Sequence, residues 1–373
     1  MVIFAPTPPS LTLSPDWHAG RPFMDIADIL SPEGMDRAQR EIAGWPDYAM
    51  TPLRHLPGLA DRLGIAALWC KDEGRRFGLG GVKALGAPYG LQCLLRDMAP
   101  DDITGAQAVA ATDGNHGLAL AWAARKIGCS ARIFVGRGVD QPRLDRLTAA
   151  GAALEILDGT YDDAVLAAAR YATEAPNRLL VTDTDYRGGL PVTRAIMEGY
   201  TLLGQELADQ LGEQRPTHIV LQCGVGGMAA GALAGYWRAL GRLEAKVILV
   251  EPLTAACLQA SLAAGEERSV PGDLDTSMVG LACGRPSRPA WRILSKAAFA
   301  AIAIEETGPR ALQAALRTGD FGDAPLLAGD TGVAGLAGLV AAASHRRNEL
   351  GLGSDSRVLC INSEPPLPGQ LQP

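Results

Sequence analysis

The sequence predicts an α/β protein with parallel sheet covered by helices on both faces, and three observations carry that expectation. Short apolar runs alternate with longer stretches of helical period; glycine and proline gather at the joints between them; and 373 residues are enough for two domains or one large divided one. The runs are AALWC (66–70), AQAVAA (106–111), ARIFV (131–135), ALEIL (153–157), RLLVTD (178–183), THIVLQC (217–223), KVILVE (246–251) and RVLCIN (357–362). Between them, residues 83–96, 116–127, 161–174, 193–211, 228–240 and 332–349 repeat apolar side chains at helical spacing. Near-continuous apolar strands separated by helices describe βαβ units, in which the sheet is buried on both faces. The first fifty residues differ: rich in proline and turn formers, with one helical stretch near 32–42, they read as an arm wrapping a larger body.

Composition narrows the function. The formal net charge is −7 and the acids and arginines are scattered rather than gathered into tails or basic runs, which argues against a nucleic-acid or anionic-membrane partner. Seven cysteines without a C-x-x-C pair or regular spacing read as reduced, mostly buried thiols. The N-terminal segment lacks a basic region followed by a long apolar run, so a soluble cytoplasmic protein is expected.

Among five lysines, Lys83 stands apart. Lys71 and Lys246 sit on or beside strands, and Lys126 and Lys296 end helices, where a cation complements the dipole. Lys83 follows FGLGG (77–81) and opens a helix, a place where backbone can approach a ligand and a desolvated amine has a lowered pKa. The bland alternative is a solvated first-turn lysine.

Two turns are built to hold anions. In ATDGNHG (111–117) a strand ends in a polar turn and a helix begins, so the amides around Thr112, Gly114 and His116 suit a substrate carboxylate. Asn115 offers a side-chain donor, and Asp113 a carboxylate that could move a proton; plain N-capping by either is the alternative. In CGVGGMAAG (223–231) the amides of Gly224, Val225, Gly226, Gly227 and Met228 form a phosphate nest at a helix start. Gly224, Gly226 and Ala229 also fit a dinucleotide fingerprint, with Glu251 placed to face a ribose hydroxyl, so an oxidoreductase is a rival. That fingerprint falls well past mid-chain rather than in the first βαβ unit, and the rival leaves Lys83 and TDGNHG without a task.

In order and spacing these segments resemble the fold-type II pyridoxal-phosphate enzymes, the group of threonine dehydratase, serine racemase and tryptophan synthase β. The likeness covers 50–86, 112–117, 223–231 and VLCINSE (358–364). Within that group, KDEGRRFGLGGVKALG (71–86), Asp113 where hydroxy-amino-acid dehydratases usually have serine, VTDTDYRGG (181–189) and TSMVGLACGRP (276–286) are similar to the diaminopropionate ammonia-lyases. The resemblance implies that Lys83 joins pyridoxal 5′-phosphate as a Schiff base, Asn115 contacts the ring hydroxyl, residues 224–228 hold the phosphate and Ser363 bonds the pyridine nitrogen. It implies that Lys83 and Asp113 flank the α-carbon from opposite faces and that Asp183 helps bind or protonate a leaving β-amine. It further implies a tryptophan synthase β-like α/β fold: a larger domain of 1–87 with 186–373, a smaller one of 88–185, the cofactor in the cleft, and a homodimer with a small amino acid as substrate.

The expected reaction is α,β-elimination, most simply 2,3-diaminopropionate to pyruvate and two ammonia. A dehydratase of serine, threonine or 3-hydroxyaspartate is the nearest alternative, and a non-catalytic protein on the same fold a further one. The family's SGESG-type segment is replaced by LAGDTGVAG (327–335), which puts Asp330 and Thr331 where substrate or cofactor could be touched. Asp185 and Arg187 read as ordinary surface charges, and no metal site is expected.

Overall fold

The computed structural model describes residues 7–112, 114–137 and 139–367. Its larger sheet has seven strands, in spatial order Ser10–Leu13, Ala298–Ile304, Lys246–Pro252, His218–Gln222, Arg357–Asn362, Ala67–Asp72 and Leu53–His55. The five central strands pair in parallel and only the two edges are antiparallel. A second sheet of four parallel strands is ordered Ala152–Ile156, Ser130–Val135, Gln107–Ala111 and Arg178–Leu180. Six of the apolar runs read from sequence form central strands that are largely buried, as two-sided sheets require, and the other two form the part-exposed edges Ala152–Ile156 and Arg178–Leu180 of the smaller sheet.

The arm is structural. Strand Ser10–Leu13 closes one edge of the larger sheet against Ala298–Ile304, and helix Pro32–Ala43 packs on the long helix Pro191–Leu211. That long helix is also the mount for two others, Lys83–Leu95 and Gly227–Leu240. The contact with Gly227–Leu240 is backbone to backbone: a Cβ on Gly204 would lie 2.1 Å from Ala232 O, and one on Gly235 2.1 Å from Thr201 O. No larger residue fits at either place without separating the helices. Lys83 and the glycine turn thus sit at the N-termini of two helices whose spacing is set by one shared partner. No described helix is long and apolar enough to cross a membrane.

Candidate active site

One cleft of about 1230 Å³, counting its open mouth, lies between the strand ends of the two sheets. Its wall includes Lys83, Thr112, Gly114, Asn115, His116, Asp183, Ser363 and the whole turn Gly224, Val225, Gly226, Gly227 and Met228. Residues spread over some 280 positions of sequence therefore meet at one place. Asp113 lies outside the described residues.

Lys83 is aimed by backbone. Gly81 is left-handed (φ +93°), its N–H donates to Glu73 O at 3.0 Å, and the next N–H, of Val82, donates to Ser363 O at 2.9 Å. A Cβ on Gly81 would stand 3.2 Å from that same Ser363 oxygen, so glycine lets the lysine loop lie against the strand that ends in Ser363. Lys83 Nζ donates to Asp183 Oδ2 at 2.7 Å, with the side chains 25% and 13% exposed. Burial disfavours the ammonium, but the Asp183 carboxylate outweighs it and holds the Lys83 pKa above its ordinary value. Burial likewise works against the Asp183 charge, and Lys83, then His116, overcome it and hold that carboxyl below the usual carboxylate range.

His116 is buried. Its Nε2 stands 2.9 Å from Val181 O and so carries the proton, which leaves Nδ1 as a bare acceptor 3.7 Å from Asp183 Oδ2 with no hydrogen bond of its own. Burial pulls the imidazole pKa down, against the opposing pull of Asp183. The packed-histidine reading is right for one ring nitrogen and incomplete for the other.

Both anion cradles are helix N-termini without a side-chain cap. Helix Asn115–Ile127 starts after Gly114, and helix Gly227–Leu240 after the left-handed Gly226. Asn115 does not act as the cap: its Nδ2 donates to Glu364 across the cleft. Gly114 N–H is taken by Thr112 Oγ1 at 3.1 Å, and the remaining orphan amides of both turns stay available to anions. Ser363 Oγ accepts a hydrogen bond from Gln222 Nε2 at 3.0 Å, so its own proton is free to be donated into the cleft. An amine, an uncapped phosphate nest and a hydroxyl donor on one cleft wall fit pyridoxal 5′-phosphate.

Other assignments change. Glu251 is fully buried and accepts from Leu258 N at 2.8 Å and Gln259 N at 2.7 Å, capping helix Cys257–Ala264. Burial lifts its pKa to about 8 despite those two N–H donors. It has no free oxygen for a ribose, which removes the dinucleotide reading's acidic residue. Asp185 is not a surface charge: it is 4% exposed and accepts from the N–H groups of Arg187, Gly188 and Leu190, folding the segment behind Asp183. Arg187 is exposed, as expected. Thr331 reaches the cleft wall and accepts from Gly280 N at 3.2 Å. Sequence reasoning gave no role to Gln222, Glu364, Arg143 or Arg146, all on the same wall.

Residues 45–364 match the family described as pyridoxal-phosphate dependent enzyme. The chain is 34% identical over 350 residues to diaminopropionate ammonia-lyase of Salmonella typhimurium, covering 86% of each. It is also 34% identical over 346 residues to the Escherichia coli K12 protein of that name, covering 87% of this chain and 86% of the other. A crystal structure of the Escherichia coli enzyme with an aminoacrylate–cofactor intermediate superposes with a TM-score of 0.86 at 30% identity, over 98% of this chain and 96% of that one. An uncapped phosphate nest and a half-buried lysine in one cleft, together with this match over most of the length, place the chain in the family of pyridoxal-phosphate dependent enzymes.

Proposed function

We propose that the chain is an ammonia-lyase that converts 2,3-diaminopropionate and water into pyruvate and two ammonia. The observation that carries this is the 2.7 Å pair of Lys83 with Asp183 facing an anion nest inside one cleft. A β-amine enters as ammonium and leaves as ammonia, so a carboxylate that holds it protonated suffices, whereas a hydroxyl leaving as water needs a proton from an acid. The Asp183 side chain lies on the cleft wall beside Lys83, where a carboxylate complements an ammonium substrate. Similarity to the two bacterial ammonia-lyases supports the same choice.

Pyridoxal 5′-phosphate, when bound, supplies an electron-withdrawing system that stabilises the negative charge left at the α-carbon. The residues around it divide the remaining work. The amides of residues 224–228 bind the phosphate at the helix N-terminus. Ser363 donates to the ring nitrogen, and a hydroxyl leaves that nitrogen uncharged, which suits elimination better than transamination. Asn115 exchanges Glu364 for the ring hydroxyl. Thr112, Gly114 and His116 orient the substrate carboxylate. Lys83 Nζ takes the α-proton of one isomer and, by family resemblance, Asp113 that of the other, so L- and D-isomers are handled by different groups. Asp183 keeps the β-nitrogen protonated until it departs as ammonia.

The division into 1–87 with 186–373 and 88–185 follows the strands of the two sheets, and closure of the smaller part would exclude water. A cytoplasmic homodimer is the expected state, by family resemblance; sedimentation and cell fractionation test it. The function itself is tested by incubating purified yellow protein with D- and L-2,3-diaminopropionate, serine, threonine and 3-hydroxyaspartate, then assaying oxo-acid and ammonia. Two ammonia per pyruvate from diaminopropionate, well ahead of the hydroxy amino acids, is the expected result; preference for a hydroxy substrate would replace this reading.

A further inference from the structure

Helix Gln141–Ala149 brings a cation to the cleft that the elimination does not use. Arg146 lies in its last turn, half-buried, and lines the same cavity as Lys83. Arg143, one turn earlier, is neutralised by Asp140, but the Arg146 guanidinium makes no hydrogen bond or salt bridge with any described residue. Burial lowers its pKa, with Glu364 as the acid acting against that. Glu364 makes no ion pair with it; the two Glu364 oxygens accept from Thr331 N and Asn115 Nδ2.

The position is fixed by packing. Leu147, next in sequence, is buried, and a Cβ on Gly117 would lie 3.1 Å from its Cδ2, so the helix carrying Arg146 is seated on the first turn of the helix that starts with Asn115. Two anion-binding features therefore share one wall: the amides of residues 115–116 and a guanidinium. The amides already suit the carboxylate that every amino acid carries. A half-desolvated guanidinium with no hydrogen-bonded partner among the described residues is costly to keep, and its fork of donors matches a carboxylate in two-point fashion. For a substrate with one carboxylate it is surplus.

Building on the proposed function, we propose that Arg146 recognises a second carboxylate, so that the cleft takes amino acids with an acidic side chain, of the aspartate and 3-hydroxyaspartate class, as ligands. The small-sheet wall then selects by side-chain charge, while Lys83 and Asp183 act at the carbons nearer the cofactor.

The test measures affinity of the holoenzyme for D- and L-aspartate and for D- and L-serine by calorimetry, in the native protein and in Arg146→Met and Arg146→Lys. The native protein should bind one aspartate isomer, and Arg146→Met should weaken aspartate at least tenfold more than serine, with Arg146→Lys between. Equal losses for both ligands would overturn the proposal by giving Arg146 the common carboxylate or a structural role; no loss for either, or no aspartate binding by the native protein, would overturn it as well. Turnover of diaminopropionate is scored in the same preparations. Its absence would sink the ammonia-lyase reading while the aspartate-to-serine ratio still reports on Arg146.

Discussion

Two lysine–carboxylate pairs in this molecule have nearly the same length and opposite character. Lys71 Nζ is 2.6 Å from Glu206, with the side chains 0% and 1% exposed; Lys83 Nζ is 2.7 Å from Asp183, with 25% and 13% exposed. Around the first pair every group is used. Lys71 also donates to Thr51 O and Gln210 Oε1, both at 2.8 Å, while Arg76 bridges Glu206 and Glu73, and Tyr48 adds a hydroxyl to Glu206. Two cations and two anions close into a neutral, sealed cluster. Around the second pair, the nearby His116 nitrogen is an acceptor without a hydrogen bond, and the cleft opens in front. Burial pulls the Lys71 pKa down even among carboxylates, whereas Asp183 keeps that of Lys83 up. Pair chemistry alone decides nothing; saturation by further partners makes the one structural, and its lack leaves the other able to exchange partners with a ligand.

Substitutions should separate the two. Lys83→Ala is expected to lower elimination by at least about 10³-fold with little change in the urea midpoint. Lys71→Ala should do the reverse, costing about 3–5 kcal/mol by leaving Glu206 buried with one cation fewer, while folded molecules keep their colour and turnover. If both variants lost activity equally at constant stability, the contrast drawn here would fail. Asp183→Asn should reduce turnover by about 10²-fold through loss of the group that holds the leaving amine.

The smallest effects are in pH dependence. Asp183 has a folded pKa below its ordinary 3.8, so its stabilisation is complete above that pH and is lost as pH falls through the lower folded value. The stability gap between native protein and Asp183→Asn should narrow on acidification below that point. His116 is held neutral with a pKa below its ordinary 6.5, so the unfolded chain takes up the proton first and stability declines as pH drops below 6.5. Denaturant titrations between pH 7 and 5 should show a shallower decline for His116→Asn; an unchanged slope would mean that the imidazole is already protonated in the fold.

Much of this architecture was legible in the chain because periodicity reports burial. The eight apolar runs became strands since two-sided sheets need continuous apolar sequence, and the starts of the helices at Lys83, Asn115 and Gly227 came within one residue of expectation. Strand Ala298–Ile304 escaped notice: AFAAIAI is alanine-rich and follows helix Arg288–Ala297 without a glycine or proline to mark the joint. The lysine loop and both cradles announced themselves through glycine patterns that few other tasks require. Arg146, Glu364 and Gln222 carry no local signature, because a lone charged or amide residue gains meaning only when distant segments fold beside it. Asp185 misled for the same reason: nothing in DYRGG shows that its carboxylate turns inward to three backbone N–H groups.

The central claim is that Lys83, and not the equally paired Lys71, is the amine that takes the cofactor. Reduction of the yellow holoenzyme with borohydride, followed by proteolysis and peptide mass spectrometry, reads this directly. The account predicts one phosphopyridoxyl group per chain, on the peptide containing Lys83. The same mass on Lys71, Lys126, Lys246 or Lys296 with Lys83 unmodified would contradict it.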